Sequence, residues 1–414
     1  MSTKHEMSVP TAVRILRISQ FCQEFMPIIP IIILIYTHKG ITVGDFFLIQ
    51  GIFRLAAFLF EIPSGYLSDR FSRRHVLILG AIIHVVACAE LALAYGFWQI
   101  ILGEALFGIA GALFSGTFEA YTYDLLKRNH TQKHFLKEMG SISTWAATAS
   151  FIATIIGPQI YQFTGGNGPP LFWITGGFGL LQTILLFMVP ELTEVVRKKQ
   201  KNKSAFMDAI GITYNTMKNP KLRNLIIFPA LFAAFTITLF WMVQTIMGLS
   251  HIPVWLFGFY VGFNHFARIF SAKYAYKVCN KFGEMTTSML SILTLTIGIT
   301  MGFVALYAPN MTIVYIAIAI MACTPAIQKM NSLQYNTLIH HDIESNERGT
   351  VLSTRAMVST LLGAAMLSVT KYLYDYFGAE ITLLTLLFAT VLLMISLKQT
   401  RKYLCCIKQP QKTK

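Results

Sequence analysis

Residues 61–74 read EIPSGYLSDRFSRR and join two long apolar stretches of the chain. The stretches cover residues 43–67 and 75–96, and each exceeds the about 20 apolar residues that cross a bilayer as a helix. The connection between them contains three arginines, Arg70, Arg73 and Arg74. Because basic residues concentrate in cytoplasmic loops of membrane proteins, this stretch predicts a helical hairpin that turns on the cytoplasmic side.

The composition extends this interpretation to the whole chain. Of 414 residues, 54% are hydrophobic and 13% are charged, whereas a soluble domain carries about 25% charged residues. The shortage of charge excludes a soluble enzyme, and a chain this apolar is not expected to stay disordered. The sequence predicts an all-α polytopic membrane protein with twelve transmembrane helices, at residues 15–36, 43–67, 75–96, 97–124, 141–163, 170–190, 224–248, 253–272, 285–306, 311–335, 350–371 and 381–397.

The net charge of +15 would suggest a nucleic-acid partner in a soluble protein, but here the basic residues lie in predicted loops. One set of alternate loops and both tails contain most of them, whereas the opposite loops contain only Lys39 and Lys371. Both termini are therefore predicted to be cytoplasmic. The first span is predicted to be a retained helix, in a plasma membrane of the bacterial cytoplasmic or inner type, and no nucleic acid is expected as a partner.

The longest connection, residues 191–223, is a predicted cytoplasmic loop between two halves, 1–190 and 224–414. Two offsets align residues of like character: 207 positions for Arg70 with Lys277 and Arg74 with Lys281, and 209 positions for Gly140-Ser141 with Gly349-Thr350. Paired six-helix halves are typical of transporters, in which two similar bundles move about a solute site.

The stretch at 61–74 resembles the G-x-L-A-D-R-x-G-R-R signature between the second and third helices of the major facilitator superfamily, with Ser72 where that family usually has glycine. The resemblance covers essentially the whole chain. It implies two pseudo-symmetric six-helix bundles that transport a solute by alternating access. It also implies a cytoplasmic gate, formed by Gly65, Asp69, Arg70, Arg73, Arg74 and, at the end of the fourth helix, Asp124. In such a gate Gly65 allows a close helix approach and the arginines bind carboxylates; the alternative is that the arginines only anchor the loop.

Two further family signatures bear on the direction and coupling of transport. Gly157-Pro158 in the fifth span resembles the centre of the antiporter motif, which favours export, although Ile160 and Tyr161 replace its later glycines. Glu104 stands four residues before Gly108, where drug–proton antiporters of this superfamily usually carry an arginine. Their usual arrangement for proton coupling at that position therefore does not transfer.

Ionisable residues within the spans are the main candidates for a transport site, because a charge facing lipid costs a few kcal/mol or more. Glu24 and Arg54 lie nearest the middle of the first and second spans. Carboxylates on the first helix carry protons in related antiporters, and desolvation would favour the protonated form of Glu24. The alternative is a permanent salt bridge between Glu24 and Arg54 that only orders the bundle.

Further polar candidates divide unevenly between the halves. Closer to the cytoplasmic ends lie Glu61, Glu119, Arg268, Lys329 and Arg355, where either snorkelling or interface pairing also explains them. The first half is rich in internal acids and the second in internal bases, which suggests an anionic solute. Trp241 and Gln244 on the seventh span suit either an apolar pocket with one hydrogen-bonding group or ordinary packing.

The sequence thus predicts a secondary transporter, not an enzyme, that couples proton movement to export of a small amphipathic or anionic compound, of the drug- or siderophore-efflux kind. Proton-coupled uptake of an organic solute or siderophore is the alternative. A membrane-embedded enzyme, suggested only by His340-His341-Asp342, and a non-transporting receptor are the alternatives from other classes. No cofactor or metal site is expected, the partners are the solute, protons and the lipid bilayer, and the chain is expected to be a monomer.

Overall fold

The computed structural model describes residues 9–192, 211, 213–342 and 348–404. Within those ranges the chain consists of helices and their connections, without a strand, so the all-α prediction is confirmed. The helices are α1 Val9–Glu24, α2 Ile32–His38, α3 Val43–Arg70, α4 Arg73–Leu93, α5 Phe97–Phe114, α6 Thr117–Arg128, α7 Phe135–Phe163, α8 Pro169–Met188, α9 Pro220–Leu249, α10 Val254–Tyr307, α11 Met311–Cys323, α12 Ile327–Asp342 and α13 Arg348–Leu404. Single 3-10 turns precede α2, α7 and α12.

Ten helical segments of the described residues are long and apolar enough to cross a membrane, as expected of an integral, multi-pass membrane protein. Two of them, α10 and α13, contain 54 and 57 residues, and as single straight helices they would be about 80 Å long against a hydrocarbon core of about 30 Å. Each contains one glycine outside the helical conformation, Gly283 at φ 78° and Gly378 at φ 76°. The predicted number of twelve segments is reached when these two helices are divided there.

Three predicted spans are interrupted in the structure, and the prediction of a continuous helix is wrong for each. The first span breaks between α1 and α2, where Pro27 and Pro30 cannot donate a backbone hydrogen bond. The fourth breaks between α5 and α6, where Gly116 has φ 67°, a left-handed conformation that favours glycine. The tenth breaks at the 3-10 turn Thr324–Ala326, which contains Pro325.

The described residues form two compact units. The first comprises residues 9–192 together with Pro253–Gly262, the beginning of α10. In it α1 packs against α7 and α8, α3 against α5, and α4 against α5 and α8. Small residues allow the closest of these contacts: a Cβ on Gly108 would lie 2.3 Å from the carbonyl oxygen of Phe53. A core of buried apolar side chains, including Leu16, Leu77 and Tyr121, joins α1, α4 and α6.

The second unit comprises the described residues of 211–252 and 263–404. In it α9 packs against α13 and α12. Tyr335 of α12 is fully buried, its ring centroid lies 5.3 Å from that of Phe228 of α9, and its hydroxyl is 3.1 Å from Ser288 Oγ. A Cβ on Gly298 would lie 2.4 Å from Oγ1 of Thr324, so α10 crosses the interrupted tenth span closely. Each unit is therefore organised around an interrupted helix.

Candidate functional site

The break in the first span places Glu24 at the C-terminal end of α1. Its carboxylate accepts a hydrogen bond from Ser150 Oγ of α7, with Oε2 at 3.4 Å, and the backbone oxygen of Glu24 lies 3.4 Å from the same hydroxyl. The chain then turns at Pro27, and a Cβ on Gly157 would lie 2.0 Å from the carbonyl oxygen of Pro27. Gly157 therefore lets α7 cross the break in direct contact, where any larger residue would collide with the backbone.

A cavity of about 370 Å³ lies in the first unit, beside the break between α5 and α6. It is lined by α1, by the residues around the break and by α7. Its polar lining comprises Gln20, Gln23, Ser115, Glu119 and Ser143, and its apolar lining includes Phe114, Phe118 and Met139. This volume and mixed lining suit a small organic molecule with an apolar body and one or two polar groups.

Two polar groups of this cavity bear on what it binds. Gln20 lines the cavity, and its side-chain oxygen is buried without a hydrogen-bond partner among the described residues. Ser115 Oγ donates a hydrogen bond of 3.3 Å to Glu61 Oε1 of α3, which positions one predicted acid at the edge of the break. Glu119 is exposed and lines the cavity itself. The structure therefore brings two of the predicted acids, Glu61 and Glu119, to the same break.

The hypothesis of a permanent salt bridge between Glu24 and Arg54 is not supported. Among the described residues no ion pair joins the two side chains, and Glu24 is held by Ser150 instead. Arg54 is half-buried in α3 and makes no hydrogen bond or ion pair with another residue in the described ranges. A guanidinium inside an apolar helix without a partner is costly to keep away from water, so Arg54 is a candidate for binding an anion.

The second unit contains the other predicted cations, and they differ in how they are bound. Arg355 of α13 donates to Asn336 Oδ1 and, at 3.0 Å, to Ser332 Oγ of α12, so its role within the unit is structural. Lys329 of α12 is exposed and makes no hydrogen bond or ion pair within the described residues. Arg268 of α10 is also exposed and lies within electrostatic range of Lys329. Like charges this close attract an anion jointly more than either does alone.

Trp241 and Gln244 of α9 are both buried in the second unit, with 6% and 1% of their surface exposed. Trp241 packs its ring edge-on against Phe240 at 4.8 Å. This burial favours the packing interpretation over a pocket-lining role for the pair.

The motif at residues 61–74 is only partly as the resemblance implies. Arg73 binds Asp124 of α6 as an ion pair and also donates to the carbonyl oxygen of Ala120 at 3.1 Å, so Asp124 is the carboxylate partner of Arg73, and the gate role of the pair stays a prediction. Arg70 donates instead to the hydroxyl of Tyr66. Arg74 donates to the last carbonyl groups of α8, those of Leu186 and Phe187, where a cation satisfies the unpaired end of a helix.

Gly65 and Asp69 are the remaining residues of the motif. A Cβ on Gly65 would meet no atom within 4 Å, so the expected close helix approach at this glycine is wrong for this structure; Gly65 lies on an exposed face of α3. The side chain of Asp69 lies outside the described part of the chain, as do those of His340, His341 and Asp342.

Sequence reasoning missed several functional features. The breaks in the first, fourth and tenth spans, the buried oxygen of Gln20 and the contact of Ser150 with Glu24 were not predicted. Pro27, Gly116 and Pro325 are the signals that could have located the breaks. It also missed the ion pair of Arg17 with Glu138, 2.5 Å apart, and the hydrogen bond of Tyr36 with Glu104. These join residues 121 and 68 positions apart, and no local pattern indicates such pairs.

Comparison with known proteins identifies the family. Residues 15–367 match the family model described as Major Facilitator Superfamily. An uncharacterized transporter of Buchnera aphidicola from Acyrthosiphon pisum is 27% identical over 176 residues, which are 42% of this chain and 43% of that protein. The inner membrane transport protein YajR of Escherichia coli is 32% identical over 124 residues, 30% of this chain and 26% of that protein. The chain thus matches less than half the length of these curated relatives.

Solved structures share the fold across nearly the whole chain. The nucleoside transporter NupG superimposes with a TM-score of 0.77 at 14% identity, over 96% of this chain and 100% of that one. The human organic anion transporter MFSD10 superimposes with a TM-score of 0.62 at 15% identity, over 95% and 100%. A D-xylose-proton symporter superimposes with a TM-score of 0.68 at 13% identity, over 93% and 97%. Since these three proteins carry different solutes, the fold alone leaves the solute open.

Proposed function

Since the chain belongs to the Major Facilitator Superfamily and is a secondary transporter by its fold, we propose that it exports a small amphipathic organic anion in exchange for protons, by alternating access. The main supporting observation is that two cations of the spans, Arg54 of α3 and Lys329 of α12, have no hydrogen-bond or ion-pair partner among the described residues. Retaining an unpaired charge at membrane depth costs a few kcal/mol or more. An anionic solute offsets this cost when it binds.

The apolar part of the solute is inferred from the cavity in the first unit. Phe114, Phe118 and Met139 supply apolar surface, whereas Gln20 and Ser143 supply hydrogen-bonding groups. A strongly hydrated sugar would gain little from contact with this apolar surface. An aromatic or alkyl carboxylate of drug or siderophore type suits the lining better.

Glu24 is the proposed proton carrier. It ends a half-helix, and the C-terminal end of a helix carries a partial negative charge that favours binding of a cation such as a proton. Its Oε2 accepts a hydrogen bond of 3.4 Å from Ser150 of α7, which places the carboxylate beside the break. Export is supported by Gly157-Pro158, which resembles the antiporter motif and contacts the break next to Glu24. Uptake with protons is the alternative direction. The bacterial inner membrane, cytoplasmic termini and a monomer stay predictions.

The solute class is tested by counterflow in proteoliposomes that contain the purified full-length chain. Three solutes with the same aromatic body and a carboxylate, an ammonium or a hydroxyl group are compared. We expect the carboxylate to be transported in preference, and Arg54→Gln and Lys329→Gln to reduce this preference while Lys133→Gln, at an exposed position, leaves it intact. Transport of the ammonium solute alone would contradict the proposal.

A further inference from the structure

We propose that Glu104 is a second proton-binding site, separate from Glu24, that holds its proton in the folded first unit. Glu104 lies in α5 and only 3% of its surface is exposed. Its Oε1 accepts a hydrogen bond of 2.6 Å from the hydroxyl of Tyr36, a fully buried residue of α2. The side chain of Gln50 of α3, also buried, is its second polar neighbour.

The surroundings of this carboxyl group are apolar and aromatic. The ring of Tyr36 stacks on that of Phe172 of α8 with centroids 6.3 Å apart and lies 6.1 Å from Phe46 of α3. A Cβ on the preceding residue, Gly103, would lie 2.5 Å from the side chain of Leu91 of α4, so α4 and α5 are in direct contact beside Glu104. A packed site of this kind leaves no room for the hydration that a carboxylate requires.

No cation compensates Glu104 within the described residues. One cation on the same side is Lys39, whose ammonium group lies 5.8 Å from the ring centroid of Phe172. It donates to the carbonyl oxygens of Leu91 at 2.7 Å and Ala94 at 2.9 Å, so its hydrogen bonds go to the end of α4 and not to Glu104. Burial lowers the pKa of Lys39, which makes it a still weaker counter-charge.

The other titratable groups around the site offer no positive charge either. On α3, Arg54 lies one helical turn beyond Gln50 and forms no ion pair with Glu104 in the described structure. On α4, His84 is buried with its ring 4.9 Å from that of Phe107, and Cys88 is buried and faces Tyr36. An ionised Glu104 would therefore be a buried charge without a counter-charge, which costs several kcal/mol.

A protonated Glu104 gives each of its two oxygens a polar partner. Its carbonyl oxygen accepts from Tyr36, and its acid proton is donated to the side-chain oxygen of Gln50, because an amide group can present either its oxygen or its nitrogen. This proton is bound in the folded state and is released by an exposed carboxyl group in the unfolded state. Stability of the first unit therefore decreases as pH rises. The inference does not depend on proton-coupled transport, since it concerns occupancy of the site and not flux.

Infrared difference spectroscopy of the full-length chain in lipid nanodiscs tests the protonation directly. At neutral pH we expect the carbonyl stretch of a protonated carboxylic acid in the wild type and its loss in Glu104→Gln. Glu90→Gln, at a half-buried position of α4, is the matched control and should keep the band. Tyr36→Phe should keep the band but move it to higher frequency, because the carbonyl oxygen loses its donor. A wild-type spectrum identical to that of Glu104→Gln, or a band unmoved by Tyr36→Phe, would overturn the assignment.

The same variants give a thermal readout. As pH rises from about 4, where an exposed glutamate begins to ionise, through neutrality, the melting temperature of the wild type is expected to fall by more than that of Glu104→Gln, whose amide binds no proton in either state, and Glu90→Gln should follow the wild type. Equal pH dependence of wild type and Glu104→Gln would show that Glu104 binds no more protons in the folded than in the unfolded state, and the inference would fail.

Discussion

The fourth helix of the first unit and its counterpart in the second are interrupted at equivalent positions but by different means. Ser115 and Thr324 are related by the offset of 209 positions that also aligns Gly140 with Gly349. In the first unit Gly116 turns the chain at φ 67°, whereas in the second Pro325 ends one helix and a 3-10 turn begins the next. The repeat therefore preserves the place of the break and not the residues that make it.

The charges beside the two breaks are opposite. Glu61 and Glu119 lie at the break of the first unit, whereas Lys329 follows the break of the second unit and Arg268 is within electrostatic range of it. Packing constraints are the same in two similar bundles, so they do not explain a change of sign. The difference in sign is the observation that supports the proposed division into proton handling in one unit and anion attraction in the other.

The largest expected effect on stability concerns the close contacts between helices within each unit. A Cβ on Gly108 would lie 2.3 Å from the backbone oxygen of Phe53, whereas one on Gly298 would meet a side chain, Thr324, at 2.4 Å. Gly108→Ala is expected to cost about 3 kcal/mol and Gly298→Ala about 1 kcal/mol, because a side chain yields more readily than backbone. Thermal unfolding in detergent measures both. Gly111→Ala, which meets nothing within 4 Å, should be neutral; equal loss in all three variants would contradict this account of the packing.

A smaller effect is expected at the ion pairs of Arg73 and His75 in the first unit. Asp124→Asn weakens the half-buried pair with Arg73 and is expected to cost about 2 kcal/mol, as for hydrogen bonds to charged groups. Glu191→Gln weakens the more exposed pair with His75, 3.6 Å long, and should cost less than about 1 kcal/mol. Chemical unfolding of each variant is the measurement. Asp124→Asn should lower the free energy of unfolding more than Glu191→Gln does, and the reverse order would contradict the prediction.

Two cations of the second unit are expected to affect different properties: Lys329 the transport rate and Arg355 the stability. Lys329→Gln is expected to reduce anion transport about tenfold, equivalent to about 1.4 kcal/mol, with little change in melting temperature, because Lys329 has no partner within the described residues. Arg355→Gln should do the opposite, since Arg355 is bonded to Asn336 and Ser332. Transport assays and thermal unfolding of the same preparations measure the two properties. Parallel losses in both variants would show that the two cations have the same role.

The smallest effects are expected from single hydroxyl groups. Ser115→Ala removes a hydrogen bond of 3.3 Å to Glu61 in the first unit, and Ser332→Ala removes one of 3.0 Å to Arg355 in the second. Each should cost at most about 1 kcal/mol in thermal unfolding, with the shorter bond costing more. Ser115→Ala should also alter transport, because its position lines the cavity; an unchanged rate would remove Ser115 from the site.

Hydropathy and charge predicted the helical membrane fold because about 20 apolar residues in a row leave few alternatives. The hairpin around Arg70 and Arg73 followed from the two apolar stretches and the arginines between them, and the partner role of Asp124 followed from the family resemblance. The helix breaks escaped prediction because an average over a whole span hides one proline or one glycine. Contacts such as Ser150 with Glu24 join residues 126 positions apart and arise only from tertiary packing. The cavity volume likewise depends on how α1 and α7 pack, which no local pattern specifies.

Proton movement in sealed proteoliposomes with an internal pH-sensitive dye tests the central claim most directly. Vesicles with the wild type or with Glu24→Gln are challenged in turn with polycarboxylates, zwitterionic drugs and lipophilic cations. We predict that an anionic class moves protons through the wild type and that Glu24→Gln abolishes this movement. If a solute crosses both proteins equally well with no pH change, proton coupling through Glu24 is contradicted and the chain is a facilitator.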